Sequence, residues 1–240
     1  MSSTSIDTLP GFRRRFIITP AANRVSSEVE DDYHCMGVTL HHDSQVVTKV
    51  ESLMQRAPWT TCPGAIAMLE KTFTGVPLDG FVKRGQKKAN CTHLHDLAIF
   101  AATHAFDSGP LVYDILVSDP VDGQRQAEIR RNGTRLLGWT QAGDRMVAPV
   151  ELAGVAFDGM RAWLESLDPE RQEAVRMLRW GTILAHGRTI AWDRQSDSSR
   201  LPLGNCYTFQ PERATEARRI GIVRDFSQGP QPLDEQRPAP

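Results

Sequence analysis

Residues 92–106 are apolar almost all the way round a helical projection, with Leu94, Leu97, Ala98, Ile99, Phe100, Ala101, Ala102, Ala105 and Phe106 spread over every face. A helix of that kind belongs inside a protein. A different period holds over residues 25–42. There His34, Met36, Val38, Leu40 and His42 alternate with Tyr33, Cys35, Thr39 and His41, the two-residue repeat of a strand. Residues 12–19 carry three arginines followed by Phe-Ile-Ile-Thr, a strand that begins basic. Residues 46–56 place apolar side chains at 46, 47, 50, 53 and 54, which predicts a short amphipathic helix stopped by Pro58. Thr61 or Cys62 as N-cap and Pro63 in the first helical position open another helix, running to about Phe73.

Beyond the Asp107-Ser108-Gly109-Pro110 break the pattern becomes a meander. Strands are expected over residues 111–117, 124–131 and 134–140, with Asn132-Gly133 as a two-residue hairpin turn. Its arginines, Arg125, Arg130, Arg131 and Arg135, read as a solvated face. Asp168 as N-cap, Pro169 after it and Gly187 as a stop frame a long helix over residues 170–186. The sum is an α+β fold, an antiparallel sheet packed with several helices in a single domain over residues 11–210. Residues 1–10 are expected to be disordered, and residues 211–240, rich in proline and glutamine toward the end, an extended, disordered tail.

Composition narrows the partners. A formal net charge of -1 with 40% hydrophobic residues describes an ordinary globule without the basic surplus of a nucleic-acid binder. No segment approaches the roughly 18 apolar residues of a spanning helix, and residues 1–10 lack the apolar core of a secretory signal. Cys35, Cys62, Cys91 and Cys206 are too few for a disulfide framework and read as cytoplasmic thiols. The expected partner is a small molecule, with no nucleic acid and no membrane, and a homo-oligomer stays open.

The chemistry concentrates in Asn90-Cys91-Thr92-His93-Leu94-His95-Asp96-Leu97, where a thiol, two imidazoles and a carboxylate open the apolar helix. Polar groups carried inside must be paired or used. At about 100° per residue His93, Leu97, Phe100 and His104 share a stripe, with Asp96 beside it and His95 on the opposite side. His93 and His104 stand roughly 16 Å apart at about 1.5 Å rise per residue, too far to share an ion. Asp96, one turn after His93, is expected to fix its tautomer. His34 and His42 bracket the apolar face of the strand. Cys62 and Cys91 both fall at helix N-termini, where the dipole lowers a thiol's pKa, though cysteines there also pack well. His186 closes the long helix, where the dipole favours its cationic form. Nucleotide-binding glycine loops, a serine nucleophile elbow, paired C-x-x-C and H-E-x-x-H are all absent. An enzyme with this sequence would use cofactor-free acid–base chemistry, or a metal site assembled from distant segments.

Three blocks resemble a bacterial family known as Domain of Unknown Function 2889, over roughly residues 13–107. They are Glu30-Asp31-Asp32-Tyr33-His34-Cys35-Met36, Arg56-Ala57-Pro58-Trp59-Thr60-Thr61-Cys62-Pro63-Gly64-Ala65 and Cys91-Thr92-His93-Leu94-His95-Asp96-Leu97. By that resemblance His34, Cys62, Cys91 and His93 fall on motif positions, while His95 and His104 are additions of this chain. The resemblance further implies a lyase of aromatic catabolism that removes a hydroxymethyl group from lignin-derived phenolic dimers as formaldehyde, through a quinone methide and without a cofactor. In that scheme His93 is the base, Asp96 orients it, His34 is the acid or a substrate clamp, and Tyr33 stands beside His34. Trp59, Phe100, His95 and Arg15 contact substrate. The alternatives are a zinc enzyme using His34, Cys62, Cys91 and His93, and a noncatalytic binding or assembly protein.

Overall fold

The computed structural model describes residues 5–190, 198 and 201–234. Its secondary structure is α+β, with eight strands and six α-helices among the described residues, and the strands pair antiparallel. The chain groups into two compact units, each discontinuous in sequence. One holds residues 16–111 and 191–224, the other residues 1–15, 112–190 and 225–240. Strand β1 (Gly11–Ala21) gives its second half to the former and its first half to the latter.

In the first unit the strand order is β4-β3-β2-β1, with β2 Arg24–Asp31, β3 Cys35–His42 and β4 Val47–Arg56. Helix α3 (Thr92–Thr103) packs on β2 and β3, and α1 (Ala65–Phe73) on β4. Leu94, Leu97, Ala98 and Ala101 of α3 are fully buried against Val25, Val29, Val38 and Leu40 of the strands' core set. An all-round apolar helix gains by such burial about 1.5–3 kcal/mol per large side chain, which outweighs its lack of a polar face. Helix α2 (Phe81–Arg84) stacks Phe81 on Phe73, with ring centroids 4.4 Å apart.

Residues 47–56 form a strand, not the helix that their spacing suggests. The cause is a bulge. His42 pairs with Val47 and His41 with Lys49, so Thr48 is an extra residue. The insertion brings Val47 and Val50, three apart, onto one buried face, and an i, i+3 spacing across a bulge imitates a helical period.

The second unit carries β5 (Leu111–Ser118, from Val112 on), β6 (Gln124–Arg131), β7 (Thr134–Ala142) and β8 (Arg145–Ala148), in the order β1-β5-β6-β7-β8. Asn132 and Gly133 take φ of 49° and 80°, the left-handed pair that a tight hairpin requires. Helix α5 (Pro169–Ala185) packs on β6 and β7, capped by Asp168, whose carboxylate accepts the Arg171 N–H. Helix α4 (Arg161–Ser166) precedes it. Arg125 departs from the solvated face expected of the meander and is buried. Of the expected disordered N-terminus, residues 1–4 lie outside the described residues, while Ser5 caps a 3-10 turn and Ile6 is buried. The expected tail is packed as far as Asp234: α6 (Pro211–Ala214) leads it, and Ala214, Ala217, Phe226 and Leu233 are buried. Residues 235–240 lie outside the described residues. Among the described residues no helix is long and apolar enough to cross a membrane.

Candidate functional site

The connection from β2 to β3 is a tight turn built on Asp31. Its Oδ1 accepts the backbone N–H groups of Tyr33 and His34, both at 2.8 Å, the side-chain mimic of a turn that aspartate favours. Asp31 N–H in turn donates to the His34 carbonyl at 2.9 Å. With its backbone so held, the His34 ring lies back on the same carboxylate, Nδ1 at 3.0 Å from Oδ1 and 3.2 Å from Oδ2. Arg56, at the end of β4, braces the turn from the other side. Its guanidinium donates to the carbonyls of Asp31 and Asp32 and to Glu30 Oε1 at 2.8–2.9 Å. The backbone N–H of Arg224 adds a further bond to the Asp32 carbonyl at 2.8 Å.

His93 arrives from α3, one residue inside a helix whose N-cap is Cys91. Asn90 fixes that entry. It is fully buried and donates through Nδ2 to Thr72 Oγ1 and the Gln86 carbonyl. The result is a second imidazole stacked on the first, ring centroids 3.9 Å apart and planes inclined by 30°. Asp31 is 0% exposed, His34 5% and His93 9%, so the group is almost out of water. One ligand-type atom from each of the three lies within 4.8 Å of the others. Two imidazolium charges at the 3.9 Å ring spacing would repel by about 4 kcal/mol at an effective dielectric of about 20. A single positive charge on the pair would face the Asp31 carboxylate, 3.0 Å from His34 Nδ1.

Of the residues expected at the site, His34 and His93 come together, and Tyr33 lies edge-on to His34 with centroids 6.1 Å apart. Asp31, not singled out by the sequence reading, supplies the orienting carboxylate. Asp96 is instead the partner of Lys87, whose ammonium lies 2.7 Å away. His95 faces away, its Nε2 2.7 Å from the Gly85 carbonyl and its ring 5.1 Å from Phe73. Burial pushes its pKa down, so it is a neutral structural donor. Phe100 meets Phe16 edge-on at 5.6 Å. Trp59 is buried beside Phe209 and beneath Arg219. Arg15 is committed to Asp114 and Asp234 at 2.6 and 2.7 Å. His104 pairs with Asp107, and His42 is buried against Phe106.

The cysteines do not join the histidines in a three-donor group among the described residues. Cys62 contacts Thr208 Oγ1 at 3.4 Å, and Cys35 donates to Gln55. Neither helix-terminal thiol is acidified: burial pushes Cys62 up to about 11 and Cys91 up to about 12. Desolvation outweighs the dipole here because a thiolate would be stripped of water altogether. His186 is likewise shifted against its expected cationic form, lowered by burial and by the charge of Arg125.

Comparison with known proteins adds one finding on family. Residues 18–107 match the family model described as a protein of unknown function (DUF2889). The matched segment carries Asp31, His34 and His93 together and lies wholly within the first unit. No curated protein matches the chain. A solved structure described as "Crystal structure of a Viral Glycoprotein" is 10% identical over 80% of this chain, with a TM-score of 0.20. The alignment spans 63% of that protein's chain, and a likeness so weak carries no argument about fold or function.

Proposed function

We propose that the protein is a carbon–carbon lyase that releases formaldehyde from a phenolic, hydroxylated aromatic dimer, with Asp31, His34 and His93 at the reacting centre. The observation that supports this is the nearly dry pairing of a carboxylate-anchored imidazole with a second imidazole. The reaction first expels the benzylic oxygen as water, which needs a proton delivered to it while the phenol loses its own. The quinone methide then forms without redox change. Removal of the proton of the terminal alcohol next breaks the carbon–carbon bond. Formaldehyde departs, and the bonding pair closes the alkene and restores the aromatic ring. One centre that accepts a proton and returns it meets both needs, and imidazole is suited to both. The substrate class rests on the family resemblance. The four cysteines are in no disulfide, which agrees with a reducing, cytoplasmic setting.

The test is product analysis with a phenolic 1,3-diol dimer. Formaldehyde and the corresponding stilbene should appear in equal amounts. His34→Gln and His93→Gln should each lower the rate about 10²- to 10⁴-fold, the range of a lost proton-transfer group, while circular dichroism shows the fold retained. Rates that fall only as far as thermal stability falls would make both histidines core residues and remove the centre.

A further inference from the structure

The same three side chains have the chemistry and spacing of a cation site. We infer that Asp31, His34 and His93 bind one divalent transition-metal ion of the zinc class. Two imidazole nitrogens and one carboxylate oxygen form a borderline donor set, suited to zinc, iron(II) or cobalt(II). Calcium and magnesium instead require oxygen donors throughout. Around a tetrahedral zinc with ligands at about 2.1 Å, donor atoms stand about 3.4 Å from one another. Here all three lie within 4.8 Å, and the Asp31–His34 contacts are already 3.0 and 3.2 Å. Small side-chain rotations close the remainder. With only three protein donors the ion keeps an open position, the mark of a catalytic rather than a structural site.

The surroundings are those of a prepared ligand set. Asp31 is oriented by two backbone N–H groups before any ion arrives, the kind of outer support that tunes metal ligands. Arg56 binds the carbonyls behind the turn, so Asp31 and His34 move as one piece. Burial keeps competing water from the donors. The thiols, which would favour a closed structural zinc, lie outside the group. This inference goes beyond the lyase reading and does not depend on it. Where both hold, the ligating imidazoles give up proton transfer, and the chemistry the ion would supply in their place is a lowered proton affinity at the oxygen of the substrate alcohol.

The experiment uses the full chain, treated with a strong chelator and then titrated with cobalt(II) and zinc(II). Calorimetry and the visible d–d bands of cobalt report binding. The expected stoichiometry is one ion per chain, and zinc should raise the melting temperature. Asp31→Asn keeps an amide oxygen to accept the turn's N–H groups but removes the anionic donor. It should weaken binding by about 10- to 100-fold or more, as should His93→Gln. His41→Gln, at a half-buried histidine paired with Glu51, should bind as the wild type does. Absence of binding in wild-type protein shown to be folded overturns the inference, as does undiminished binding in both Asp31→Asn and His93→Gln. Formaldehyde release without ion binding sinks this inference and leaves the lyase reading standing. Ion binding without formaldehyde release does the reverse.

Discussion

The inertness of the helix-terminal thiols can be tested through alkaline stability. Cys62 and Cys91 are raised from an ordinary value of 9.0 to about 11 and about 12, chiefly by burial. An acid whose folded pKa is raised leaves stability intact below the unfolded value. It then removes stability as pH climbs from there toward the folded value, because the unfolded chain ionises first. Each thiol therefore subtracts about 1.4 kcal/mol per pH unit inside that window. Between about pH 8 and about pH 10.5 the loss integrates to about 2 kcal/mol per thiol, or about 4 kcal/mol for the pair.

The assay is urea unfolding at those two pH values for the wild type, Cys62→Ala, Cys91→Ala and the double variant. Each alanine leaves a small cavity whose penalty does not change with pH, so the diagnostic is the difference between pH values. Lysines and tyrosines titrate in every variant and cancel. Each single variant should recover about 2 kcal/mol of the alkaline loss. The double variant should recover less than the sum, because part of the Cys91 rise is repulsion from a Cys62 thiolate. Identical alkaline losses in all four proteins would refute the reasoning. So would labelling of Cys91 near pH 8 by a thiol reagent at the rate of an unhindered cysteine, which would show that the dipole prevails.

Two further predictions separate packing from chemistry. A Cβ added at Gly181 would stand 2.7 Å from Ile115 Cγ2, so Gly181→Ala should cost about 1–3 kcal/mol in urea unfolding, part of it restored by Ile115→Val in the same chain. Asp96→Asn, which removes the ion pair with Lys87, should leave formaldehyde release near the wild-type rate. Asp31→Asn should lower it about 10²-fold or more, and equal rates in the two variants would return the orienting role to neither.

Much of the fold was readable because its signals are local. Asn132-Gly133 dictates its own backbone, Asp168-Pro169 starts α5 without outside help, and the all-round apolar face of α3 admits only burial. Strand β4 was not readable, since a bulge depends on the strand opposite and borrows the helical spacing. For Cys62 and Cys91 the helix-start positions are a local signal, but the burial that raises both thiols is a product of the fold and leaves no mark on the neighbouring sequence.

The two histidine–aspartate pairs show the same division inside the candidate site. Asp96 follows His93 by three residues in a helix, and Asp31 precedes His34 by three residues in a turn. On a helix that spacing only permits contact, and any better partner within reach takes the carboxylate. Lys87, in the 3-10 turn just upstream, carries a full charge that an imidazole need not, and it holds Asp96 at 2.7 Å. In the turn the carboxylate is held first by its own backbone. The backbone N–H groups of Tyr33 and His34 pin the Asp31 carboxylate where the His34 ring must return. A short acidic run just before a histidine at the mouth of a strand is therefore the stronger sign of an oriented imidazole. Glu30-Asp31-Asp32-Tyr33-His34 carries that sign in plain sequence, and the second imidazole, His93, required the fold to bring α3 across it.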